Sequence, residues 1–231
     1  MISVCIATYN GGKYIREQID SILPQLGTDD EIIISDDGST DETLPVIQAY
    51  NDKRIHIVDG PKKHSPILNF ECALDEAKGN YIFLADQDDV WLPGKIETCM
   101  KYLQRYCCVV SDCYVTDAEL NITEDSFQQM IHAKTGKWYN LLIKNAYLGC
   151  CMAFRRELLD KALPFPMATP MHDIWLGNVA AFKYNMVFID EKLVYFRRHH
   201  GNASSTASPS NYSLTRKLAF RMAIIKGLLK L

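Results

Sequence analysis

Apolar and polar positions along the first hundred residues fall into short blocks that alternate between two periods. ISVCIAT at residues 2–8 is a compact run rich in β-branched side chains and predicts a strand. Gly11 and Gly12 interrupt it, and Ile15, Ile19, Ile22 and Leu23 then recur at helical spacing. EIIIS at 31–35 repeats the strand signal. The following DDGSTDETL supplies a glycine turn, Ser39 or Thr40 as a helix N-cap, and a helix from about Asp41 to Tyr50. RIHIV at 54–58 predicts a third strand, and Ser65-Pro66 opens a helix in the favoured order of cap then proline. YIFLA at 81–85 is apolar along its whole length, as expected of a strand covered on both faces.

Beyond residue 107 the pattern changes. Cys107 to Val115 is extended, LGCCMAF at 148–154 predicts a further strand, and His172 to Tyr184 a helix with Trp175, Val179 and Phe182 on one side. NMVFIDEKLVYF at 185–196 predicts a hairpin or two short strands, turning near 190–192. ASSTASPSNYS at 203–213 has the composition of a flexible linker. The last stretch, 214–231, is basic and apolar without one acidic residue. As a helix it sets Leu218, Met222, Ile225 and Leu229 on one stripe, with Arg216, Lys217, Arg221, Lys226 and Lys230 on the remainder. Such a helix suits contact with an anionic membrane surface and suits packing on protein equally.

Strands alternating with helices predict an α/β fold with a mostly parallel central sheet flanked by helices. One domain over 1–203, with halves at 1–110 and 111–203, a linker at 204–213 and an amphipathic helix at 214–231 follow from the same pattern.

Composition narrows the classes of function. At 231 residues and 48% hydrophobic, the chain can bury a sizeable core. A net charge of −3 speaks against a nucleic-acid partner. The eight cysteines form no CxxC pair and sit mostly in apolar runs, so we expect reduced thiols and a cytoplasmic protein. The first residues carry no positive leader, and no run of 18 apolar residues occurs, so neither export nor a membrane span is expected.

Sheets of this kind bind ligands beyond the carboxyl ends of their strands. There lie Thr8-Tyr9-Asn10, Asp36-Asp37 and the acidic run Asp86-Gln87-Asp88-Asp89. Carboxylates gathered behind a buried strand repel one another and lose hydration, and a divalent cation is the strongest compensation. Oxygen ligands favour Mg²⁺ or Mn²⁺, with substrate phosphates completing the shell, so a metal-bound diphosphate is the expected ligand. No Walker loop, no GxGxxG and no calcium-loop spacing accompanies the carboxylates.

Five segments in order, SVCIATYNGGKYIREQIDSIL, EIIISDDGSTDET, ALDEAKGNYIFLADQDD, MHDIWL and YFRRHHGN, closely resemble the family-2 glycosyltransferases with the GT-A nucleotide-diphospho-sugar transferase fold, from Ile2 to about Asn202. The resemblance implies a nucleotide-sugar-binding first half and an acceptor-binding second half. It implies that Thr8, Tyr9 and Asn10 line the base and ribose, and that Asp37 or Asp36 accepts from a pyrimidine N3–H, so the donor would carry dTDP or UDP. Asp86-Gln87-Asp88 matches the DxD motif, its first carboxylate toward the ribose and Asp88 on the metal, with Asp89 the adjacent alternative. Asp173 of the HDxW pattern resembles the catalytic base, while His172 beside it looks like members that transfer rhamnose. Trp175 and Trp91 would line the sugar or fill the core. His200 resembles a late-loop histidine that reaches the metal or diphosphate, with the His199-His200 register open by one.

The function so implied is a metal-dependent, inverting transfer of a sugar from dTDP-rhamnose or a similar donor to a glycan or lipid-linked hydroxyl in cell-surface polysaccharide synthesis. A UDP-hexose or UDP-N-acetylhexosamine transferase of the same family is the nearer alternative. A non-catalytic nucleotide-sugar-binding subunit is the more distant one, and it would need neither the DxD carboxylates nor a base. The C-terminal helix would place the protein at the inner face of the cell membrane.

Overall fold

The four apolar runs of the first half become one parallel layer: β1 (Ile2–Thr8), β2 (Glu31–Asp36), β3 (Ile55–Asp59) and β4 (Tyr81–Asp86), in the spatial order β3-β2-β1-β4. The structure is a computed structural model, which describes residues 1–199, 201–202 and 213–231. Every residue of β2 is buried, which is why its sequence shows no polar alternation. Helices α1 (Ile15–Ile22), α2 (Thr43–Gln48) and α3 (Pro66–Glu76) form the crossovers between these strands. Ser65 caps α3 through its Oγ, as expected. At α2 neither Ser39 nor Thr40 is the N-cap: that position is Glu42, without a side-chain cap bond, while Asp41 accepts from the Thr43 N–H and the Ser39 hydroxyl is held by Asp36.

Past β4 the sheet becomes mixed. A short β5 (Val90–Trp91) precedes α4 (Lys95–Leu103), β6 (Cys108–Thr116), β7 (Ile122–Glu124), α5 (Phe127–Met130) and α6 (Lys137–Leu142). β8 (Met152–Arg155), α7 (Leu159–Ala162), α8 (His172–Lys183), β9 (Met186–Arg197) and α9 (Leu214–Lys230) complete the described elements. The sheet continues β4-β8-β6-β9-β5, with β7 paired to β6, so one sheet joins both halves of the chain. Strand β8 runs antiparallel to β4 and β6, and β9 runs parallel to β6.

Two expectations about the second half are corrected. LGCCMAF is a strand only from Met152, because Gly149–Cys151 form a 3₁₀ turn. The hairpin or two short strands expected at 185–196 are one strand: Val110 faces Phe188, yet Asp112 faces Lys192. A bulge absorbs the additional residues and turns Asp190 and Glu191 to solvent, so the polar triplet that mimics a turn never breaks the pairing. All eight cysteines are free, seven of them buried.

Helix α9 packs on α8 through Ile224, Gly227 and Leu228. A Cβ at Gly227 would lie 2.6 Å from the Trp175 ring, so glycine permits the close approach. Leu218, Met222 and Leu229 of the expected stripe remain exposed, and Ile225 is half-buried. Protein packing and an uncovered apolar stripe thus occur together on different faces. No helix among the described residues is long and apolar enough to cross a membrane.

Candidate active site

A cleft opens at the carboxyl ends of β1 and β4, walled by the start of α3, the 149–151 turn, the start of α8 and the chain beyond β9. Its floor begins with a division of labour between two adjacent aspartates. Asp36 is consumed by the fold: its carboxylate accepts from Thr8 Oγ1 (2.9 Å), from Ser39 Oγ (2.6 Å) and from the Ser39 N–H (2.8 Å). Asp37 lines the cleft, held by the N–H groups of Lys63 (3.0 Å) and Ser65 (2.9 Å). Of the two residues that the sequence left open as reader of a base, the structure brings Asp37 to the cleft.

Tyr9 lines the mouth with its ring against His64, centroids 4.4 Å apart. Gln87 turns toward it, accepting from the Tyr9 N–H (2.9 Å) and donating to its carbonyl (3.1 Å). Asn10 lies outside the cleft lining. Its backbone is left-handed (φ 49°), and its side chain accepts from the Thr40 N–H, tying the first loop to the second.

Asp86 and Asp88 both line the cleft, whereas Asp89 is fully buried and accepts from the Arg197 N–H (2.9 Å). Burial, then Asp88, then Asp173 push Asp86 up to about 8. Burial, then Asp88 and Asp86, hold Asp89 well above the carboxylate range. This crowding is the electrostatic signature of a site that a cation would complete. Asp88 Oδ2 receives His199 Nε2 at 2.9 Å and Asn202 Nδ2 at 2.8 Å. Asp88 lines the cleft with the His199 imidazole bonded to it, and a carboxylate beside an imidazole is a donor set that suits Mn²⁺ or Mg²⁺ with phosphate oxygens. Asp86, Asp89 and Cys150 also bring their ligand atoms within 4.8 Å of one another, deeper in the fold. His200 lies outside the described residues, and it is His199 that meets the acidic motif.

On the opposite wall Asp173 opens α8. Burial pushes it up to about 6, against the opposing N–H bonds from Ile174 (2.7 Å) and Gly149 (3.2 Å). His172 lies stacked on Phe70 with centroids 3.9 Å apart, and burial pushes it down to about 3, so its ring is neutral. The two tryptophans do not reach the cleft. Trp175 is core, its Nε1 donating to the Ala162 carbonyl (2.8 Å), and Trp91 packs against Phe83.

Several contributors escaped sequence reasoning. Lys95 is fully buried beneath the cleft, over the Trp91 ring and donating to the Cys150 carbonyl. The preceding residue in the same turn is Gly149, whose N–H holds Asp173, so Lys95 braces the turn that seats this carboxylate. Only the lysine in WLPGK hinted at it, and a lysine in sequence reads as solvated. Asn202 and His64 lay within quoted or neighbouring motifs but carried no distinguishing spacing.

The comparisons with known proteins agree with this geometry. The model of "Glycosyl transferase family 2" matches residues 3–163. A putative teichuronic acid biosynthesis glycosyltransferase, TuaG of Bacillus subtilis, is 33% identical over 65% of this chain and 60% of its own length. The chain therefore spans about three fifths of that relative. The Escherichia coli WfaP, a UDP-Glc:alpha-D-GlcNAc-diphosphoundecaprenol beta-1,3-glucosyltransferase, is 36% identical over 89% of this chain and 80% of its own. The dTDP-rhamnosyl transferase RfbG of Shigella flexneri is 26% identical over 96% and 82%. Among solved structures, S. aureus TarS 1-349 in complex with UDP-GlcNAc superposes with a TM-score of 0.70 at 18% identity, covering 97% of this chain and 66% of that one. Glucosyl-3-phosphoglycerate synthase of Mycobacterium tuberculosis, in complex with Mn²⁺, UDP and glucosyl-3-phosphoglycerate, gives 0.60 at 20% identity, covering 100% and 79%. The mostly parallel sheet, the acidic strand end facing Asp173 and the matched model lead to one assignment: the chain belongs to glycosyl transferase family 2, as a glycosyltransferase with the GT-A fold.

Proposed function

We propose that the protein transfers a sugar from a pyrimidine nucleoside-diphosphate donor to a hydroxyl of a glycan or lipid-linked acceptor, with inversion and with a divalent metal. The observation that carries this reading is the placement in one cleft of Asp88, which is hydrogen-bonded to His199, and of Asp173. Asp37 and Tyr9 would receive the nucleoside. Asp88 and His199 would hold Mg²⁺ or Mn²⁺, which when bound supplies positive charge to the departing diphosphate.

Asp173 takes the acceptor's hydroxyl proton as that oxygen bonds to the anomeric carbon. The bond from that carbon to the diphosphate oxygen breaks in the same displacement, its electron pair leaving with the nucleoside diphosphate, so the configuration inverts. The N–H groups of Gly149 and Ile174 keep the carboxylate ionised and aimed, while neutral His172 on Phe70 closes the side wall without adding charge.

For the donor, the HDIW segment and the likeness to the Shigella rhamnosyl transferase favour dTDP-rhamnose. A second reading, UDP-glucose, is favoured by the 36% identity to the Escherichia coli glucosyltransferase, whose diphosphoundecaprenol substrate also motivates the lipid-linked acceptor. Release of nucleoside diphosphate from a panel of dTDP- and UDP-sugars, with Mn²⁺ and with chelator, tests the reading. Metal-dependent release from one donor is expected. Release that chelator leaves unchanged would overturn the metal's part. Metal-dependent nucleotide binding without turnover of any donor, acceptors supplied, would point instead to a non-catalytic subunit.

A further inference from the structure

The charge of this chain is unevenly placed. Residues 126–147, 174–189 and 213–231, which contain α5, α6, nearly all of α8, and α9, include none of the 28 acidic residues but nine of the 25 basic ones. Four are Lys134, Lys137, Lys144 and Lys183, and the other five lie on α9. A net charge of −3 for the whole therefore conceals a cationic side and a strongly anionic remainder.

The same side exposes apolar residues. Leu214, Leu218 and Met222 stand exposed on α9, as do Trp138 at the start of α6 and Leu142 and Ile143 at its end. One hydrogen bond fixes how the two groups lie. At 100° per residue, Arg221 sits on α9 between the packed face of Ile224 and Leu228 and the exposed stripe of Leu218, Met222 and Leu229. Arg221 Nη2 donates to the Ile143 carbonyl at 2.8 Å, so the end of α6 lies along the stripe's own border. Trp138 is seated on α8 through an edge contact with Phe182 at 4.9 Å. The two exposed apolar groups thus adjoin at Ile143, on chain segments that carry basic residues and no acidic ones.

We propose that this face, built from α6 and the exposed stripe of α9, docks on the surface of an anionic lipid bilayer. Apolar side chains enter the headgroup boundary while lysine and arginine ammonium and guanidinium groups meet lipid phosphates. An acidic protein partner would match the charge but leave the apolar stripe without a role, and a second copy of the chain would oppose cation to cation. The proposal does not depend on the donor or on the metal.

The molecule contains its own probe. Trp138 is 61% exposed, whereas Trp91 and Trp175 are 2% and 1% exposed, so a change in tryptophan emission on binding reports this face. The full chain is mixed with vesicles of phosphatidylglycerol and phosphatidylcholine, or of phosphatidylcholine alone, and followed by sedimentation and emission. We expect binding to the anionic vesicles with a blue shift, and its loss as salt rises to about 0.5 M, where charges screen within a few ångströms. Leu218→Glu with Met222→Glu should weaken binding by roughly tenfold or more, with unfolding midpoint and nucleotide binding retained. Trp138→Phe should keep most binding and lose the shift. No binding to anionic vesicles at low salt, parental binding by the glutamate variant, or a shift that survives Trp138→Phe would each overturn the proposal. A concentration-dependent blue shift without lipid would assign the face to self-association instead.

Discussion

Asp173 stands between two opposed influences, burial that disfavours its charge and two backbone N–H bonds that favour it, and burial prevails. A carboxyl whose folded pKa is raised to about 6, against 3.8 unfolded, binds more protons in the native state between those values. Stability from this group is therefore full below about pH 4 and declines as pH rises through 6. Asp173→Asn, which carries no charge to bury, should be more stable than the parent at pH 8 by up to about 3 kcal/mol and close to it near pH 4. Thermal unfolding at the two pH values measures this, and a variant less stable at pH 8 would contradict it. The same pKa predicts that turnover falls on the acid side with a midpoint near 6, as the base becomes protonated. Across the cleft, His199→Ala removes the imidazole on Asp88 and should weaken metal-dependent nucleotide binding by about tenfold or more, while Asp88→Asn should abolish most of the metal dependence. Calorimetry with and without chelator separates the two, and equal affinity under both conditions in the parent would contradict a metal site.

At the scale of elements, the 149–151 turn connects the two walls. Lys95 from α4 holds the Cys150 carbonyl, and Gly149 holds Asp173. A Cβ at Gly149 would lie 2.9 Å from His172 Nε2 and 3.6 Å from Asp173 Cβ, so Gly149→Ala must push the α8 start outward. We expect turnover to fall by on the order of tenfold to a hundredfold, with the unfolding midpoint little changed. Unchanged turnover would show that the turn does not position the base. The parallel half was legible in sequence because β1, β2 and β4 are covered on both faces and so write themselves as continuous apolar runs. The carboxylates were legible because they follow those runs at strand ends. β9 was not, since Asp190, Glu191 and Lys192 imitate a turn while occupying a bulge. Nor was His199 separable from His200, two identical neighbours differing only in the direction the chain takes after β9. Lys95 and Trp175 mislead in opposite senses: the lysine is buried where its charge suggests solvent, and the tryptophan fills the core where its place after Asp173 suggested the sugar.

For the whole molecule, the cleft joins parts of the chain far apart in sequence, from Thr8 to Asn202, so ligand binding should stabilise it as one unit. Nucleoside diphosphate with Mn²⁺ at about a hundredfold excess over its dissociation constant should add about 2.7 kcal/mol, raising the midpoint by roughly 5–10 °C. Neither component alone should do so, and a full shift with nucleotide and chelator would contradict the joint site. In the proposed reaction Asp173 takes the acceptor's proton in a sugar transfer whose donor is held by the opposite wall. This role is tested most directly by the turnover of Asp173→Asn, measured together with its affinity for the donor. Turnover at saturating donor, acceptor and metal should fall by on the order of a hundredfold or more while donor affinity stays within about twofold. Near-parental turnover in this variant would contradict that role, because asparagine keeps the size of the side chain and an oxygen for one of its two N–H bonds but cannot take a proton.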